Sequence, residues 1–111
     1  MQGYPWPEKG TLCRVFLDTQ NQEIKRELVS VGTLDTSLVH PREVFEPAIQ
    51  HIASHIILAH NHPSGGLEPS EQDLVVTRRL AEAGRILGIE ILDHVIVTTD
   101  GFCSFKERNL L

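Results

Sequence analysis

The spacing of apolar and polar positions changes along the chain, and each change marks an element. Leu12-Cys13-Arg14-Val15-Phe16-Leu17 is an apolar run broken by one Arg, followed by the turn-prone Asp18-Thr19-Gln20-Asn21. A second extended run goes from about Glu23 to Val31 and ends at Gly32. Two such runs joined by a short polar turn predict a β-hairpin. Pro41 opens a helical stretch that reaches about Ser54, and proline suits the first helical turn. Pro47 lies inside that stretch, where it removes a backbone hydrogen bond. The helix therefore either kinks at Pro47 or starts there.

His55-Ile56-Ile57-Leu58-Ala59 is a continuous apolar run, as in a strand covered on both faces. His60 to Pro69 reads as a loop. Ser70 to about Leu87 is the clearest helix. Val76, Leu80, Ala83 and Leu87 fall on one face, with Glu71, Arg78, Glu82 and Arg85 on the other. Gly88 is a natural stop. Ile89 to Thr98 predicts another apolar strand, Asp100-Gly101 a hairpin turn, and Phe102 to Phe105 the returning strand. The order β-β-α-β-α-β-β predicts an α/β domain with a mixed sheet flanked by helices. Residues 1–11 read as an irregular lead-in to one domain over 12–111.

Composition narrows the class. The chain has 111 residues, 41% hydrophobic and 23% charged, as in an ordinary globular domain. It shows no membrane-length apolar run and no secretory signal, so the expected compartment is the cytoplasm. The formal net charge of −5 disfavours direct nucleic-acid binding, which depends on Lys and Arg neutralising phosphates. Cys13 and Cys103 are far apart with no CxxC, so two reduced, buried thiols are expected.

The candidate chemistry lies between residues 60 and 73. His60 and His62 are two apart at a strand end, so their imidazoles share a face. Asp73 lies in the first turn of the next helix. A Gly/Pro loop between strand and helix allows that carboxylate to return to the imidazoles. Two imidazoles, one carboxylate and a vacant fourth position describe a catalytic zinc site. Ser70-x-x-Asp73 also has a purely structural reading as a helix cap with an acidic N3, and the two readings are compatible. His94, in an apolar strand, reads as a hydrogen-bonded core or edge histidine rather than a ligand.

His-x-His-Pro followed by Ser-x-x-Asp, with seven residues between His62 and Ser70, resembles the JAMM motif of the MPN metallopeptidase domain. Four further segments resemble its RadC-like branch: Gly32-Thr33-Leu34, Leu38 to Phe45, His60 to Gly65, and Leu92-Asp93-His94-Val95-Ile96-Val97. The resemblance covers about residues 12 to 107. It implies an MPN/JAMM-type (cytidine-deaminase-like) fold with a curved mixed sheet. It also implies zinc held by His60, His62 and Asp73, with Ser70 hydrogen-bonding the oxyanion of a tetrahedral intermediate. The implied activity is hydrolysis of a peptide or isopeptide amide bond in a protein or peptide substrate. The family's general-base glutamate is displaced: counting back eight residues from Asp18 lands on Gly10. Glu8 is the first candidate for that role and Glu43 the second. Two alternatives accompany the hydrolase reading: a non-catalytic MPN scaffold, and a RadC-type protein associated with DNA repair.

Overall fold

A computed structural model describes residues 10–30, 39–62 and 66–111. Strand β1 spans Thr11–Leu17 and β2 spans Glu23–Ser30, paired antiparallel as the expected hairpin. The Asp18 carboxylate closes the turn between them by accepting from the Gln20 and Gln22 amides, each at 2.9 Å. The lead-in boundary falls one residue earlier than its sequence reading. Thr11 is already in β1, and its amide donates to the Asn61 side-chain oxygen. Val31 and Gly32 lie outside the described residues.

Helix α1 spans Pro41–Gln50, with Pro47 inside it. Proline has no amide to offer the carbonyl four residues back, which belongs to Glu43. Arg14, on β1, supplies the missing donor: its Nη1 reaches the Glu43 carbonyl at 2.8 Å. The orphaned carbonyl is thus satisfied by the sheet, and one helix runs through the proline. The helix ends four residues short of Ser54. Its closure is a Schellman arrangement, with Ala53 N–H donating to the Ala48 carbonyl and Ile52 N–H to that of Ile49.

That closure places Ile52 at φ 55°, with the residue 85% exposed. A β-branched residue in the left-handed region is strained, and little packing compensates here. Replacing it with glycine removes that strain but adds unfolded-chain entropy. Ile52→Gly is therefore expected to stabilise the domain by about 1 kcal/mol. The check is thermal unfolding; a lower Tm for the variant would contradict the strain argument.

Strand β3 spans His55–Asn61, helix α2 Glu71–Leu87, strand β4 Glu90–Thr98 and strand β5 Gly101–Ser104. The strand order is β2-β1-β3-β4-β5, with β3 and β4 parallel and the other neighbours antiparallel. Strand β3 is two residues longer than its apolar run, so His60 belongs to the strand rather than the loop. Along β3, Ile56 and Leu58 face one way and join Phe16, Phe45, Ala48, Val76 and Leu80 in the main core. Both helices contribute to that core. Cys13, Val15, Leu17 and Ala59 form a second cluster, of opposite parity on β1 and β3. Cys13 and Cys103 are both buried and form no disulfide with each other.

The buried face of α2 differs slightly from the predicted stripe. Asp73, Val76, Thr77, Leu80 and Gly84 are buried, whereas Leu87 is half exposed. Gly84 lies so close to the Ile89 carbonyl that a side chain there would collide with it and crowd the Phe45 ring. Two polar residues, Asp73 and Thr77, therefore stand on the sheet-facing side of the helix. Among the described residues no helix is long and apolar enough to cross a membrane.

Candidate functional site

The parallel strands β3 and β4 run in one direction, and α2 begins near their carboxyl ends. In open α/β sheets this end is the usual place for a ligand. Backbone alternation puts His60 on the same face as Ile56 and Leu58, towards α2, and His60 is fully buried. His62 lies two residues on. Its amide continues the pairing beyond β3 by donating to the Val97 carbonyl at 3.2 Å. The two imidazole rings meet edge to face, with centroids 5.9 Å apart.

Asp73 reaches the same place from the helix. Ser70 is the N-cap and Asp73 is N3, and both halves of the capping box are present. Asp73 N–H donates to Ser70 Oγ at 3.1 Å, and Ser70 N–H donates to Asp73 Oδ2 at 2.8 Å. The structural and chemical readings of this motif therefore coincide. The cap fixes the carboxylate's rotamer, and the helix N-terminus favours its negative charge. Asp73 is fully buried. Its Oδ1 has no hydrogen-bond partner among the described residues.

The contact between the two sides is the most informative distance in the molecule. Asp73 Oδ2 lies 3.1 Å from His62 Nε2. The other nitrogen of that ring, Nδ1, lies 2.8 Å from the Gly66 carbonyl, which can only accept. Nδ1 must therefore carry a proton, and in the neutral ring Nε2 carries the lone pair. A lone pair facing a carboxylate oxygen is repulsive unless a cation stands between them. That cation is either a proton on Nε2 or a metal ion. Anchoring one imidazole nitrogen on a backbone carbonyl while the other points at a ligand position is how metal-binding histidines are commonly oriented.

The structure thus brings His62 and Asp73 into contact and lays His60 against His62. It does not draw all three onto one point. Among the described residues, no three His, Cys, Asp or Glu side chains form a group able to hold a metal ion. The donor chemistry nevertheless suits zinc: two imidazoles, one with its tautomer fixed, and a buried carboxylate with an unpartnered oxygen. Glu8, the first candidate for a general base, lies outside the described residues, as do Pro63, Ser64 and Gly65. Glu43 is exposed in the first turn of α1, where its amide donates to the His40 carbonyl and its own carbonyl accepts from Arg14.

His94 is a core histidine, as its apolar strand suggests. It is fully buried, its Nδ1 lies 2.5 Å from Thr77 Oγ1, and its ring stacks on Phe105 at 4.6 Å. Burial first, and the neighbouring His60 second, hold its pKa down at about 4. The adjacent Asp93 is also structural. It accepts from the His94 and Lys106 amides and from Ser104 Oγ, tying β4 to the turns that follow β5. Sequence reasoning did not find the Thr77–His94 pair. The available signal was a threonine four residues after Asp73, on the helix face that must pack against the sheet.

The comparisons with known proteins agree with this architecture. A family model described as RadC-like JAB domain matches residues 2–110. The chain belongs to the RadC-like JAB domain family. It is 60% identical over 97 residues to a UPF0758 protein of Moorella thermoacetica and 59% identical over 97 residues to one of Rubrobacter xylanophilus. A UPF0758 protein of Desulforamulus reducens is 50% identical over the same length. Each alignment covers 87% of this chain but only 42–43% of the relative. The chain thus spans about two-fifths of the length of the curated relatives it matches.

Proposed function

We propose that this RadC-like JAB domain is a zinc-dependent hydrolase acting on a peptide or isopeptide amide bond. The observation that carries the reading is the His62–Asp73 contact, with His62 Nδ1 anchored on the Gly66 carbonyl. His60, His62 and Asp73 would hold the metal. Zinc bound there would supply Lewis acidity towards the scissile carbonyl and the attacking water. The protein's own contribution begins with Ser70. Its Oγ already accepts from Asp73 N–H, so its hydroxyl proton remains to donate to an oxygen gaining charge. The capping box holds that donor still, which spares reorganisation when charge develops. His60 lies in β3, His62 just after it, and Ser70 and Asp73 at the start of α2, which supports this reading.

The test is hydrolysis of a panel of peptide and isopeptide substrates by the domain, with and without zinc. Activity should vanish on chelation and return with zinc. Ser70→Ala is expected to lower kcat by about 10²–10³-fold, as for loss of one oxyanion donor, with zinc still bound. Zinc binding without any hydrolysis would instead favour a non-catalytic MPN module.

A further inference from the structure

Thr77 and His94 form a buried cross-link directly behind the candidate site. Thr77 lies four residues after Asp73, so it stacks under Asp73 on the same face of α2. His94 lies on β4 opposite Leu58 of β3, and the next pair on that face is Ile96 with His60. The cross-link therefore joins the helix that carries Asp73 to the strand pair that carries His60. Both partners are fully buried. Phe105 stacks against the face of the His94 ring.

The direction of the bond follows from counting polar hydrogens. If Nδ1–H donated to Thr77, the buried hydroxyl proton and the Nε2 lone pair would both lack partners. With the hydroxyl donating to Nδ1, a single group is left over, the Nε2–H. His94 Nε2 indeed has no hydrogen-bond partner among the described residues. An unmatched buried polar group costs about 1–3 kcal/mol, so the second arrangement is preferred. Threonine is the donor and His94 the Nε2–H tautomer. The imidazole is also kept neutral near pH 7, which adds no positive charge behind two other imidazoles.

Such a cross-link is an expensive way merely to fill a core. A Val–Phe pair would do so without leaving a buried N–H unmatched. We infer that the Thr77 hydroxyl and the His94 imidazole position Asp73 relative to His60 and His62, and so set the affinity of that site for its metal. His94 and Thr77 are positioning residues: neither is proposed as a ligand, and both act through the placement of α2. This inference rests on the metal reading above.

The experiment measures zinc affinity by competition with a chromophoric chelator and, in parallel, the thermal stability of the metal-free protein. Four proteins are compared: wild type, Thr77→Val, Thr77→Ser and Leu80→Ala. Thr77→Val keeps the shape and deletes the donor. It is expected to weaken zinc binding about 10–100-fold, the range seen when groups that orient metal ligands are lost. Thr77→Ser keeps the hydroxyl and should bind close to wild type. Leu80→Ala destabilises the same helix one turn further on and should leave affinity in place. Cobalt substituted for zinc should show a shifted visible spectrum in Thr77→Val alone. Equal affinity in wild type and Thr77→Val would overturn this inference and leave the metal reading standing. Affinity that merely tracks Tm across all four proteins would also overturn it, because the cross-link would then be ordinary packing. Absence of zinc binding in folded wild type would overturn the metal reading, and this inference with it.

Discussion

Asp73→Asn is expected to abolish zinc binding while leaving the metal-free domain folded. The two effects separate because Asp73 has two roles. As N3 of α2 it accepts from Ser70 N–H, and an asparagine carbonyl can do the same. As a ligand it needs a negative charge, which asparagine lacks. Oδ2 makes both the Ser70 N–H and the His62 Nε2 contacts, so asparagine keeps the cap with its carbonyl or donates to His62 with its amide, one at a time. Isothermal titration with zinc and thermal unfolding of the chelated protein give both numbers. Loss of affinity should exceed about 100-fold, since one of three protein ligands is gone. A variant that binds zinc as tightly as wild type would remove Asp73 from the site. By contrast, Asp73→Ala should lose both the metal and the side-chain half of the capping box, while the residue-73 amide still donates to Ser70 Oγ.

The second large effect is a stability that falls in mild acid because of His94. In the unfolded chain this imidazole takes up a proton near pH 6.5; in the folded protein it resists until about pH 4. Burial is the main cause and His60 the next, opposed by Asp73 and Asp93, with His62 adding to the depression. Between those values the unfolded state binds more protons, so stability is fully present above pH 6.5 and drains away as pH falls towards 4. At about 1.4 kcal/mol per pH unit the loss from this one residue reaches about 3 kcal/mol. Urea unfolding of metal-free protein at several pH values between 4 and 7 measures it. His94→Gln should flatten the slope over that window, whatever its effect on stability at pH 7. An unchanged slope in the variant would show that other groups govern the acid sensitivity.

Local patterns carried most of the fold. The period-two placement of His60 and His62 was readable because strand alternation needs no knowledge of partners. The Ser70–Asp73 box was readable because both of its hydrogen bonds span only three residues. What escaped the sequence depended on partners far along the chain. Pro47 left two options open, because its resolution comes from Arg14, 29 residues from the carbonyl it satisfies. The end of α1 was misjudged because a non-glycine residue, Ile52, adopts the left-handed conformation that usually signals a stop through glycine. Thr77 and His94 are 17 residues apart on different elements, and only the packing of α2 on the sheet pairs them. The tautomer of His62 was equally hidden, since it depends on where the Gly66 carbonyl points.

The proposed chemistry turns on a metal held by His60, His62 and Asp73. The most direct measurement is the zinc content of freshly purified protein, compared with its His62→Ala and Asp73→Asn variants. Zinc per chain close to one in wild type, and lost in both variants with folding intact, is the result predicted by the lone-pair contact between His62 and Asp73. Folded wild-type protein that neither carries zinc nor takes it up at neutral pH would contradict the account, and His62 Nε2 would then hold a proton in place of a metal.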